Sequence, residues 1–161
     1  MIEKSKFIQS YKDESQRAKI NEFWPDLEAI HHDYLSRKST LTLAMNLVQE
    51  SLRNTREVHS TRVRLKDPEH LIEKCVRKRL ADPARIITPS TYMSEITDLV
   101  GVRALHLFKS DWKPMHRAIT DTWDLKERPT ANIRKGDSEK LIASYTEHGC
   151  TIKEHPFGYR S

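Results

Sequence analysis

Arg62, Arg64, Lys74, Asp98, Arg103 and Tyr159 are side chains of the types that handle phosphate, and they fall at the ends of expected strands and turns. Phosphoryl transfer needs few protein parts. A carboxylate shares Mg²⁺ with the substrate phosphates, and guanidinium or ammonium groups neutralise the charge that develops. One acid among several cations supplies both. Tyr159, beside Gly158, can lay its ring against a base, worth roughly 1–3 kcal/mol by analogy with nucleic-acid stacking. The competing reading is structural: Asp98 and Arg103 as an ion pair, with Arg62 and Arg64 keeping a sheet edge soluble. There is no Walker-type or kinase glycine-rich loop and no dinucleotide fingerprint. His31 and His32 are adjacent on an expected helix and cannot share a face as a metal pair.

These groups must be positioned by three segments. Ile96 to Phe108 contains the most apolar run of the chain, from Val100 onward, and reads as a buried strand. Asp98 stands at its entrance, Arg103 sits inside it, and Gly101 permits close approach of another group. A buried strand holding one acid and one base is costly unless both are paired or hold something. His59 to Lys66 alternates, placing Arg62, Arg64 and Lys66 on one side and Val63 and Leu65 on the other. Pro68, with Asp67 as N-cap, opens a helix whose Leu71, Ile72, Cys75 and Val76 face inward. Lys74, Arg77 and Lys78 occupy the opposite flank.

Upstream, Ser5 to Phe23 reads as one solvated helix ended by Pro25. Asp26 then caps a long helix with the stripe Leu27, Ile30, Tyr34, Leu41, Met45, Val48 and Leu52. Downstream, Ala81 to Ser94 is a loop, and Ser110 or Asp111 caps a helix striped by Trp112, Met115, Ile119 and Trp123. A short strand is expected at Trp123 to Glu127 and a polar turn at Asn132 to Asp137. A helix over Ser138 to His148, stopped by Gly149, and a strand over Cys150 to Lys153 follow. Strands alternating with helices give an α+β fold with a mixed sheet covered mainly on one face. Residues 1–55 form an N-terminal helical region and 56–161 the main domain.

A chain of 161 residues suffices for a single core, and the charged fraction of 32% and net charge of +5 favour an anionic partner. Nucleotide phosphates, RNA and an acidic membrane all satisfy that charge. No apolar run of transmembrane length is present, and two distant cysteines suit a reduced, cytoplasmic protein.

Four segments together resemble the synthetase domain of the RelA/SpoT family. They are Thr61-Arg62-Val63-Arg64, Leu71-Ile72-Glu73-Lys74, Ile96 through Arg103, and Gly158-Tyr159-Arg160-Ser161. Their order and spacing are similar to those of its shorter, non-ribosome-bound members over roughly Val58 to Ser161. The resemblance implies a nucleotidyltransferase (polymerase-β-like) mixed sheet flanked by helices. It also implies transfer of pyrophosphate from ATP to the 3′-hydroxyl of GDP or GTP, giving (p)ppGpp and AMP. Asp98 would then hold Mg²⁺, and Arg62 and Arg103 would contact ATP, one guanidinium lying flat on adenine. Arg64 and Lys74 would neutralise phosphates, and Tyr159 would stack on the acceptor guanine.

Two departures from the family pattern matter. His155 stands where a lysine or arginine is common, which makes the charge near the acceptor phosphates pH-dependent. The family continues past Tyr-Arg-Ser with a histidine and a glutamate-bearing strand, whereas this sequence stops at Ser161. A positioned general base contributes ~10²–10⁴-fold, so the expectation is a weakly active or inactive piece. The same chemistry with the 3′ end of tRNA as acceptor, and a non-catalytic nucleotide-binding module, are the alternatives.

Overall fold

The computed structural model describes residues 3–155, so Tyr159 lies outside the described residues. The chain divides into two compact units, Met1–Met115 and His116–Ser161.

The first unit begins with α1 (Lys4–Gln9) and α2 (Glu14–Glu22), where a single helix is expected from composition. Asp13 divides them: its carboxylate accepts from the Ser15 N–H at 2.9 Å and starts a new helix inside the polar run. Pro25 opens α3 (Trp24–Ser36) instead of ending a helix, because a proline in the first turn gives up no intrahelical hydrogen bond. Asp26 lies in that first turn and is not the cap. The stripe from Leu27 to Leu52 runs across a break at Arg37 into α4 (Lys38–Arg53). Periodicity alone hides such a break when neither proline nor glycine marks it.

Asp67 caps α5 (Pro68–Ala81), accepting from the N–H groups of Glu69 at 2.8 Å and His70 at 3.2 Å. Leu27, Ile30 and Tyr34 of α3 and Leu71, Ile72, Cys75 and Val76 of α5 share one core with Ile87, Tyr92, Ile96 and Leu99. Burial pushes the Cys75 thiol up to about 11, which leaves it protonated and unreactive.

Two strands complete this unit. β1 (Ser60–Leu65) pairs antiparallel with β2 (Val100–Leu105), Ser60 opposite Leu105 and Leu65 opposite Val100. Thr61, Val63 and Leu65 are the less exposed set of β1, α4 packs against both strands, and Gln49 of α4 donates to the Thr61 hydroxyl at 3.0 Å. The expectation of a buried strand at Val100 to Phe108 is corrected. Leu105, Leu107 and Phe108 are exposed, and the core sits among the helices. An apolar run reads alike whether one or both faces are covered, and here α4 packs against the strands while Leu105, Leu107 and Phe108 stay exposed. A short helix α6 (Tyr92–Glu95) precedes β2 within the expected loop.

Helix α7 (Trp112–Thr122) spans the boundary between the units, with Met115 the one buried member of its stripe. In the second unit β3 (Thr130–Arg134) and β4 (Thr151–His155) run parallel, joined through α8 (Glu139–Glu147). The strand expected at Trp123 to Glu127 does not form. Ala131 and Ile133, both buried, place it at Thr130–Arg134, and Gly136, at φ +95°, takes the turn behind it. Gly149, at φ +78°, ends α8 region as a glycine C′ residue should. The fold class is α+β, with small sheets and flanking helices. Among the described residues no helix is long and apolar enough to cross a membrane.

Candidate active site

Burying Leu71, Ile72, Cys75 and Val76 fixes the rotation of α5 and brings Lys74 out at its rim. The Lys74 ammonium reaches one Asp98 carboxylate oxygen at 2.7 Å, and Lys66 reaches the other at 2.9 Å. Lys66 follows β1 directly, and its N–H donates to the Leu99 carbonyl at 2.8 Å, extending the β1–β2 pairing by one step. Side-chain exposure is 13% for Lys66, 20% for Lys74 and 38% for Asp98, so the acid remains open to solvent. Burial alone would push the Asp98 carboxyl up. The hydrogen bonds and charges of Lys74 and Lys66 outweigh it and hold the group at about 2. Asp98 is therefore ionised at any physiological pH.

Arg62 and Arg103 stand directly opposite each other in the ladder, and Arg64 stands opposite Gly101. Strand alternation puts the three arginines on one face, and all are exposed. None has an ion-pair partner among the described residues. Like charges directly opposite each other destabilise a ladder, so this face gains from a polyanion. The ion pair that the structural reading assigned to Asp98 and Arg103 is not made; both oxygens of Asp98 go to lysines.

Arg64 lies across Gly101: a Cβ there would sit 3.2 Å from Arg64 Cγ and 3.3 Å from Nε. Gly101→Val is expected to push the Arg64 side chain aside without harming the strand, since β-branched residues suit it. If this face binds Mg-ATP, as the resemblance implies, that affinity, read by titration with a fluorescent analogue, should fall about three- to tenfold with little change in Tm. Unchanged affinity would separate Arg64 from nucleotide binding.

The structure thus brings Arg62, Arg64, Lys74, Asp98 and Arg103 to one sheet face and its end. His155 is the last residue of β4 in the second unit, where its Nε2 meets the Asn132 side-chain oxygen at 2.7 Å. Lys66, the third cation aligned with Arg62 and Arg64, belongs to the cluster through its contact with Asp98. Its signal was the two-residue spacing from Arg62 and Arg64.

Among the described residues no three His, Cys, Asp or Glu side chains converge as a metal cage. Asp98 nevertheless fits Mg²⁺ arriving with a nucleotide. It is a hard, ionised oxygen donor open to solvent, and the two ammonium groups beside it could serve phosphate oxygens.

The family profile described as the region found in RelA / SpoT proteins matches residues 63–161. No curated protein and no solved structure matches the chain.

Proposed function

Because the chain belongs to the RelA/SpoT family, whose fold is nucleotidyltransferase-like and whose members are pyrophosphotransferases, we propose that it makes (p)ppGpp from ATP and GDP or GTP. The 3′-hydroxyl oxygen of the acceptor attacks the β-phosphorus of ATP, and the bond from that phosphorus to the α,β-bridging oxygen breaks. AMP departs, and the hydroxyl proton is released. The observation that carries this reading is the ionised Asp98 gripped by Lys66 and Lys74 at the end of a face bearing three arginines without ion-pair partners among the described residues.

Asp98 would hold Mg²⁺, which would supply charge neutralisation for the triphosphate. Lys66 and Lys74 move from the carboxylate to phosphate oxygens, so the role carried by sequence resemblance to Arg64 is shared with Lys66. Arg62 and Arg103 contact ATP; a guanidinium from this face suits the flat adenine better than an ammonium does. From the family resemblance, Tyr159 is assigned to the acceptor guanine and His155 to the acceptor phosphates. The substrates are those of the cytoplasmic nucleotide pool.

The test is incubation with Mg²⁺, γ-labelled ATP and one of GDP, GTP or tRNA. Label in GDP or GTP is expected. Label in tRNA instead would change the acceptor class. ATP binding without label in any acceptor would identify a nucleotide-binding module.

A further inference from the structure

Helix α3 reaches the Asp98 cluster through two tyrosine hydroxyls. Tyr34, 1% exposed, donates to the Lys66 carbonyl at 2.5 Å. The Lys66 N–H is held by Leu99, the residue after Asp98. The backbone bearing one ammonium is therefore clamped on both sides of its Cα. One residue earlier on α3, Asp33 accepts from the Tyr92 hydroxyl at 2.8 Å and from Arg37 Nε at 2.7 Å. Tyr92, wholly buried, opens the short helix that leads into Ile96 and Asp98, and its carbonyl accepts from the Ile96 N–H at 2.8 Å. Adjacent residues of one helix thus tie down the two segments whose side chains meet as Lys66 and Asp98.

Core packing alone would ask only for the ring of Tyr34, which phenylalanine supplies. A hydroxyl at that depth is tolerated because it is bonded. Its acceptor belongs to the connection between β1, which ends at Leu65, and α5, which starts at Pro68, where no ladder or helix supplies a donor. Burial, together with the charge of Asp67, raises the Tyr34 pKa, so the hydroxyl stays a donor.

Resting on the nucleotide site proposed above, we propose that Tyr34 is a positioning residue for triphosphate binding. Its hydroxyl fixes the backbone of Lys66 so that the ammonium stays at Asp98 and turns onto phosphate when nucleotide arrives.

The test is a double-mutant cycle on the full chain, with Mg-ATP affinity read by a fluorescent ATP analogue and folding by circular dichroism. Tyr34→Phe should stay folded and bind roughly fivefold more weakly, the effect of losing one ordinary hydrogen bond. Lys66→Met should bind more weakly still, and adding Tyr34→Phe to it should change nothing further. That non-additivity is the readout a purely structural tyrosine would not produce. Wild-type affinity in Tyr34→Phe, or effects that multiply in the double variant, would overturn the positioning role. Wild-type affinity in Lys66→Met would instead overturn the nucleotide site itself. Unfolding of Tyr34→Phe would likewise overturn the positioning role, because the hydroxyl would then hold the fold rather than the ammonium.

Discussion

Asp98→Asn removes the magnesium dependence of ATP binding and lowers pyrophosphate transfer by at least about 10²–10³-fold, the range for losing one preorganised group that stabilises transition-state charge. The amide keeps the size and the acceptor oxygen of the side chain but not its charge. Lys66 and Lys74 then face each other without an anion between them, at 13% and 20% side-chain exposure. Two consequences separate this outcome from simple damage to the fold. Metal-free ATP should bind the variant at least as tightly as it binds the wild-type chain, because the ammonium groups are released from their carboxylate. Added Mg²⁺ should no longer improve that binding. Calorimetric titration of ATP with and without Mg²⁺ measures both. Retained transfer, or an undiminished Mg²⁺ effect, removes Asp98 from the mechanism.

The parts of this site legible in the sequence were those written locally. Alternation at Ser60–Leu65 gave away the arginine face, and Asp67-Pro68 announced α5 with its inward and outward sides. The long-range parts were not legible. Lys66 and Asp98 are separated by 32 positions, and nothing in either segment says which cation turns toward the acid. Arg103 was the obvious partner by proximity along the chain, but alternation holds it on the sheet face while Lys66 and Lys74 reach the strand entrance. Among the described residues the arginine face remains without ion-pair partners as a result, which is the more informative arrangement.

Helices before residue 55 illustrate the opposite difficulty. Tyr34 fits an apolar stripe and is indeed core, yet its hydroxyl bonds the Lys66 carbonyl. A stripe pattern records burial of the ring and is blind to the direction of its polar tip. The break at Arg37 was equally silent, since α3 and α4 both bury their stripes. Burial of β2 was overestimated for a related reason: its apolar residues would suit a strand covered on both faces, whereas α4 covers one.

Replacing both lysines tests the electrostatics of the cluster by the sign of a pH effect. Lys66→Met and Lys74→Met should each weaken Mg-ATP binding by roughly ten- to hundredfold, the range for a hydrogen bond to a charged group. In the wild-type chain the folded-state pKa of Asp98, about 2, lies below the unfolded value of roughly 3.9. The group therefore contributes stability that is fully present above the unfolded pKa and is lost as pH falls toward the folded one. In the double variant burial, the largest influence on this carboxyl, is no longer opposed by either ammonium. Its folded pKa then moves above the unfolded value, and ionisation becomes destabilising as pH rises through that window. The Tm of the variant should accordingly lie below wild type at pH 7, with the gap closing as pH falls from about 5 to about 2. Solvent reaches Asp98, at 38% side-chain exposure, so the gap should be modest and should narrow in high salt. Melting curves across that pH range at two salt concentrations decide the matter. A gap that stays constant with pH would mean that the lysines stabilise the fold through their methylene stems alone, and that the charge balance at Asp98 is not what holds this end of the sheet together.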